Sequence, residues 1–166
     1  MKKLYLIRHA KSDWSDPALD DFDRPLNKRG KKEVVTMGEF LLKNKIIPDL
    51  IISSSALRAK KTAKSIAKII GYKKDNIHYK KDLYMADTAD MERVLNEVDS
   101  SAKTVFLVGH NPEITEFANY ISGYGIDTIP TCGVFGVSLI KKSWKSLTKN
   151  GAKFISFDYP KKESDS

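Results

Sequence analysis

Leu4-Tyr5-Leu6-Ile7-Arg8-His9 opens the chain with four consecutive apolar residues that run directly into an arginine and a histidine. A run of this length with β-forming members reads as a strand buried on both faces, as in a parallel sheet. Val105-Phe106-Leu107-Val108-Gly109-His110 repeats the arrangement a hundred residues later, so two of the three histidines directly follow a buried strand. In an open α/β sheet, ligands bind beyond the carboxyl ends of the strands, and that is where both histidines are delivered.

Working outward, strand-like runs alternate with helical periodicities. Residues 28–44 place Val34, Met37, Gly38, Leu41 and Leu42 on one face, with Asn27 as the expected N-cap. A short strand follows at 50–53. Residues 56–70 keep Ala59, Ala63, Ile66, Ala67 and Ile70 at helical spacing, and Gly71 supplies the stop. A weaker strand is predicted at 76–79, a short helix after Thr88, a buried strand at 104–108, and a helix capped by Asn111 with Pro112 as its first residue. Strands at 134–140 and 154–157 close the pattern. The expectation is an α/β fold: three layers, α/β/α, around a mostly parallel sheet. Its length suits a single domain over residues 1–159, followed by a polar tail at 160–166.

The net charge is +8, which points to acidic partners such as phosphate esters, nucleic acid or an anionic surface. Lys60, Lys64 and Lys68 lie opposite the apolar face of one helix without interleaved aromatic residues. They read as a solvated face, and nucleic acid is disfavoured as a partner. No apolar run approaches the roughly 20 residues that a membrane span needs, and Met1-Lys2-Lys3 precedes only four apolar residues. The protein is therefore expected in the cytoplasm and off the membrane. A single cysteine, Cys132, provides no disulfide framework.

Three strand ends converge in such a sheet. The first brings Arg8 and His9. The second ends in Ser53-Ser54-Ser55 and leads into a helix with Arg58 in its first turn. The third brings His110 and another helix N-terminus. Two guanidiniums, two imidazoles and helix-terminal N–H groups suit a tetrahedral dianion, so phosphate is the expected ligand. No metal is expected, because metal-ligand spacings are missing and the arginines repel a cation. No other cofactor is implied. Adjacent guanidiniums should hold His9 neutral, with one ring nitrogen donating to a backbone carbonyl and the other free for in-line attack on phosphorus. Arg8, Arg58 and a protonated His110 would then hold the phosphoryl oxygens.

Leu6-Ile7-Arg8-His9-Ala10-Lys11-Ser12 resembles the Arg-His-Gly signature of the histidine phosphatase, or phosphoglycerate mutase-like, superfamily, with Ala10 in the glycine place. Asp21-Phe22-Asp23-Arg24-Pro25-Leu26-Asn27-Lys28-Arg29-Gly30 resembles the Arg-Pro-Leu segment of the SixA-type phosphohistidine phosphatases. Ser53 to Ala59 with Thr62-Ala63 and Val108-Gly109-His110-Asn111-Pro112 are similar to two further motifs of that group. The resemblance implies a phosphoglycerate mutase-like fold and a phosphoenzyme on His9, with Arg8, Arg58 and His110 around the phosphate. It also implies that Ser12 or Ser15 contributes a hydroxyl, although both equally suit an ordinary polar loop.

Where larger relatives carry a general-acid glutamate, this chain reads Asp82-Leu83-Tyr84-Met85-Ala86-Asp87. Asp21 is one candidate proton donor, Asp87 a second, and a good leaving group could dispense with both. The short 77–91 stretch lacks the lid of the mutases and implies an open site. Three functions are thereby weighed: a phosphatase acting on protein phosphohistidine, a broad phosphatase of small phosphomonoesters, and a catalytically silent phospho-ligand or nucleic-acid binding domain. The oligomeric state stays open.

Overall fold

The computed structural model describes residues 1–164. Six strands form one sheet in the order β3-β2-β4-β1-β5-β6. They are β1 (Lys3–Arg8), β2 (Leu50–Ser54), β3 (His78–Lys80), β4 (Thr104–Gly109), β5 (Val134–Leu139) and β6 (Ala152–Asp158). The pairs β2–β3, β2–β4 and β1–β4 are parallel, whereas β5 runs antiparallel to both β1 and β6. Only β5 is reversed, which meets the expectation of a mostly parallel sheet.

Side-chain alternation along β1 builds the layers. Tyr5 and Ile7 bury on the face covered by α1 (Lys28–Lys43) and α2 (Leu57–Ile70), against Val34, Met37, Leu41, Ala63 and Ile66. Leu4 and Leu6 bury on the opposite face with α3 (Thr88–Asn96) and α4 (Glu113–Ser122), against Leu95, Ile114, Phe117 and Ile121. Because both faces are covered, the strands read as continuous apolar runs instead of alternating ones. The β2, β4 and β1 strands are neighbours, so their three carboxyl ends lie together.

Several local expectations hold. Asn27 caps α1 by accepting from the Gly30 N–H at 2.8 Å, and Gly71 ends α2 in the left-handed region at φ +80°. Others are corrected. The cap of α3 is Asp87, which exchanges hydrogen bonds with Asp90 in a capping box, so Thr88 is already helical. At α4 the cap is not Asn111. Its amide instead donates to Thr128 Oγ1 and Ile129 O while its Oδ1 accepts from Thr115, and the helix starts at Glu113, after a cis Asn111–Pro112 bond. The third strand is displaced to His78–Lys80 behind a 3-10 turn at Lys74–Asn76. Within the stretch read as a polar tail, Pro160–Ser164 turns as a short helix, α5, packed on α1, while 165–166 lie outside the described residues. Among the described residues no helix is long and apolar enough to cross a membrane.

Gly30 shows how tightly the first loop is seated on α1. A Cβ at that position would lie 2.1 Å from the Lys11 carbonyl oxygen, an acceptor that is itself engaged by the Asn27 N–H at 3.0 Å. Only a residue without a side chain lets the chain beyond His9 cross the start of the helix.

Candidate active site

The backbone of Arg8 and His9 is fixed from three sides. Arg8 N–H donates to Gly133 O at 3.1 Å, His9 N–H to Gly109 O at 3.0 Å, and Cys132 N–H to Arg8 O at 3.0 Å. One residue on, Ala10 N–H donates to Thr62 Oγ1 at 2.9 Å, and the Thr62 hydroxyl donates to Arg58 O at 2.8 Å. The β1 turn and the first turn of α2 are thereby locked together.

His9 is 8% exposed, and its Nδ1 lies 2.7 Å from Ala10 O. A carbonyl can only accept, so Nδ1 carries the proton and Nε2 the lone pair. Arg58 confirms this tautomer, since its Nε–H donates to His9 Nε2 at 3.3 Å. The other end of the guanidinium grips Asp21, with Nη1 to the backbone oxygen at 2.6 Å and Nη2 to Oδ2 at 2.9 Å. Arg8 donates from Nη1 to Ile129 O at 3.1 Å, while its buried Nε has no partner.

His110 follows β4 as expected and its ring centroid stands 5.2 Å from that of His9. Its Nε2 lies 2.7 Å from Ser54 Oγ, at the end of β2. Ser54 Oγ also accepts from Ala56 N–H at 3.2 Å, which leaves the hydroxyl one lone pair and its own proton for His110. His110 Nδ1 is buried beside His9 without a partner, so a ligand atom in the cavity could supply one.

Both rings are neutral at pH 7. Burial is the largest cause of the drop in His9 to about 4, with the Arg58 and Arg8 charges adding to it and the Ala10 hydrogen bond opposing. Burial also leads for His110, lowered to about 3, followed by His9 and Arg58. The guanidiniums thus contribute to the neutrality of His9 without dominating it. The expected protonated His110 is corrected for the ligand-free site, where desolvation keeps it neutral. Histidine NMR checks this: the His9 and His110 rings should show no titration near 6.5 and start to protonate only near 4 and below. Between those values the unfolded chain binds protons that the folded one refuses, so stability should fall as the pH drops from about 6.5 toward 4. Ring midpoints near 6.5 would overturn the burial argument.

A cavity of about 470 Å³ opens over these groups, lined by Arg8, His9, Asp21, Arg58, Tyr84 and His110 and rimmed by Trp14 and Met85. Arg8, His9, Arg58 and His110 therefore come together as the sequence predicts. Asp21 also joins the wall, yet in a different capacity. Burial pushes its carboxyl up, but hydrogen bonds from Tyr84 and Arg58 outweigh this and hold it below the ordinary carboxylate range. An ionised, doubly bonded carboxylate is a poor proton donor. Asp87 is occupied as the α3 cap and is not part of the wall. Ser12 lines the cavity, but its Oγ accepts from Trp14 Nε1–H at 2.9 Å. Ser15 is exposed outside the lining, its N–H tied to Asp13 Oδ1.

Sequence reasoning missed Tyr84, whose hydroxyl donates to Asp21 Oδ2 at 2.6 Å and whose ring stands edge-on to His110 at 5.5 Å. The signal was available, because Tyr84 follows β3 at the same sheet edge. It also missed Glu33, buried in α1, which accepts from Lys11 N–H and the Thr131 hydroxyl, each at 2.8 Å. Of the lysine stripe, Lys64 and Lys68 are exposed and Lys60 lies over the Tyr79 ring at 5.1 Å.

Comparison with known proteins agrees with this geometry. Residues 4–92 match the model of the histidine phosphatase superfamily (branch 1). An uncharacterised chloroplast protein of Arabidopsis thaliana is 30% identical over 152 residues, covering 87% of this chain and 69% of its own length. A crystal structure assigned as the phosphohistidine phosphatase SixA of Agrobacterium tumefaciens superposes with a TM-score of 0.82 at 26% identity, over 96% of this chain and 98% of that one. The protein histidine phosphatase SixA complexed with tungstate shares the fold, with a TM-score of 0.77 at 18% identity over 95% and 97% of the two chains.

Proposed function

The chain belongs to the histidine phosphatase superfamily, and from that membership we propose that it is a metal-independent phosphatase working through a phosphohistidine on His9, with phosphohistidine of a protein as its substrate. One observation carries the reading: Nδ1 of His9 donates to Ala10 O at 2.7 Å, so Nε2 carries the lone pair at a cavity walled by Arg8, Arg58 and His110, where it accepts from Arg58 Nε–H at 3.3 Å until a phosphoryl oxygen takes over that donor.

In the first step the Nε2 lone pair forms a bond to phosphorus as the bond from phosphorus to the leaving imidazole nitrogen breaks. The imidazole keeps the electron pair and takes a proton from solvent. Arg8, Arg58 and His110 hold the phosphoryl oxygens, where negative charge gathers in the transition state. Water then attacks phosphorus, the bond to Nε2 breaks, and the lone pair returns to His9 while the water proton leaves to solvent. Charge compensation comes from two guanidiniums, so the scheme requires no metal. Tungstate, a tetrahedral dianion bound by a neighbour of the same fold, has the shape and charge that this pocket suits.

With Asp21 held ionised, that carboxyl is a poor acid for expelling an alkoxide. A leaving group that departs without enzymic protonation fits better, and imidazole qualifies. A small phosphomonoester is the second reading, favoured by a cavity whose 470 Å³ falls in the range of small-molecule sites. Brief incubation with a ³²P-labelled phosphohistidine peptide, followed by alkaline quenching and tryptic digestion, tests the scheme. The expected label is alkali-stable, acid-labile and located on the peptide containing His9. Label elsewhere would move the nucleophile. An unlabelled protein that releases no phosphate from the peptide or from small esters would leave a silent binding domain.

A further inference from the structure

We propose that Trp14 and Met85 form a leaving-group subsite at the rim of the His9 cavity, built for a flat aromatic or heteroaromatic group and selecting against polyol phosphates. The proposal rests on the phosphatase reading and names the substrate class of the same site.

Trp14 is 58% exposed although it carries one of the largest apolar surfaces in the chain. Such a ring would ordinarily sample several rotamers, but this one is held. The Arg24 guanidinium covers one ring face at 4.1 Å from the centroid, and the indole Nε1–H donates to Ser12 Oγ at 2.9 Å. Arg24 is itself anchored, donating to Asp16 O at 3.1 Å and Leu19 O at 3.3 Å, and is 9% exposed. A buried, hydrogen-bonded arginine is thus used to pin an exposed tryptophan, and the ring has little rotamer freedom left to lose when something stacks on it. Arg24 thus serves to hold Trp14.

Met85 is the second lip. It is 77% exposed and sits at φ +57°, the left-handed region that an unbranched apolar residue occupies at a cost of about 1–2 kcal/mol. Exposure and strain coincide at a residue lining the cavity, where local strain tends to be retained for function. Methionine is also a soft, adaptable partner for aromatic rings.

The remaining wall explains why the leaving group should be apolar-faced. Recognition of a polyol needs free hydrogen-bonding side chains. Here Tyr84 is engaged by Asp21, Asn111 by Thr115, Thr128 and Ile129, and Thr131 by Glu33, which leaves the Ser12 hydroxyl proton, His110 Nδ1 and Glu113 Oε2 as the groups open to a hydroxyl. Hydroxyls of a sugar would lose water there with few partners in exchange, whereas a ring over Trp14 loses little.

The test compares phenyl phosphate and N-phosphoimidazole with glycerol phosphate in the intact protein, Trp14→Ala and Trp14→Phe. Leaving groups differ in basicity, so the readout is the change that each substitution makes in the ratio of kcat/KM between the aromatic and the polyol substrate. Trp14→Ala should lower that ratio about five- to tenfold through KM, and Trp14→Phe should recover most of it. An unchanged ratio overturns the subsite and leaves Trp14 a structural residue. A second arm needs no turnover. The chain has two tryptophans, and Trp144 is 1% exposed, so a change in emission on adding phenyl phosphate reports Trp14. In His9→Ala, phenyl phosphate should change the emission at concentrations where glycerol phosphate does not, with Trp14→Phe as the blank. Equal responses overturn the subsite. If the intact protein hydrolyses neither class, the phosphatase reading fails, and the emission arm alone decides whether the aromatic shelf stands.

Discussion

Replacing His9 with alanine is expected to lower turnover of a phosphohistidine peptide by about 10⁴- to 10⁶-fold and to abolish covalent labelling, the range seen when a nucleophile is deleted from a site whose binding groups remain. Arg8, Arg58 and His110 would still hold a phosphoryl group, so binding should survive while chemistry does not. The fold should survive as well. His9 is neutral and makes two hydrogen bonds, from Nδ1 to Ala10 O and at Nε2 from Arg58 Nε–H, whose loss costs about 1–3 kcal/mol in all. Urea unfolding of the variant separates that modest loss from the catalytic one. Alanine also empties the space of an imidazole beside three phosphate-binding groups. Added imidazole should therefore restore part of the turnover, appearing transiently as phosphoimidazole. Residual activity within tenfold of the intact protein would sink the nucleophilic assignment.

The parts of this site that sequence could expose are those fixed by chain direction. A buried strand must deliver its next residue to the sheet edge, so Arg8, His9 and His110 were legible from apolar runs alone, and Arg58 from its place in the first turn of α2. The layered fold was legible for the same reason. What escaped depends on contacts between segments far apart in sequence. Tyr84 matters because β3 lies beside β2 and brings its hydroxyl within 2.6 Å of Asp21, 63 residues away. Glu33 looks like any helix carboxylate until Lys11 and Thr131 are placed against it. The protonation of His110, and the main cause of the neutrality of His9, were misjudged for a related reason. Charge is visible in a sequence, but burial is not, and burial is what lowers His9 and His110 most. The caps failed where side chains had other claims on them, as Asn111 did through Thr115, Thr128 and Ile129.

Substituting Arg58 is expected to give the second-largest loss and, set against Asp21, to decide what the carboxylate does. Arg58 hydrogen-bonds both His9, through Nε at 3.3 Å, and Asp21, through Nη1 and Nη2. Arg58→Ala removes a preorganised cation from developing charge on the phosphoryl oxygens, an effect of about 10²- to 10³-fold in kcat. Arg58→Lys should recover little. A lysine ammonium is a point charge that cannot hold His9 on one side and grip Asp21 on the other with a rigid fork. If the ionised Asp21 serves to aim that fork, Asp21→Asn keeps the backbone contact to Nη1 and weakens only the Nη2 contact, so kcat should fall about tenfold or less. The loss should be the same for leaving groups of low and high basicity. A proton donor behaves differently. Its removal would spare phosphohistidine and aryl esters yet cost alkyl esters about 10²- to 10⁴-fold, with the high-pH limb lost from the pH profile. A loss that grows with leaving-group basicity in Asp21→Asn would return Asp21 to the proton-donor role. A uniform small loss, beside a large one in Arg58→Ala, would make Asp21 the residue that positions the arginine.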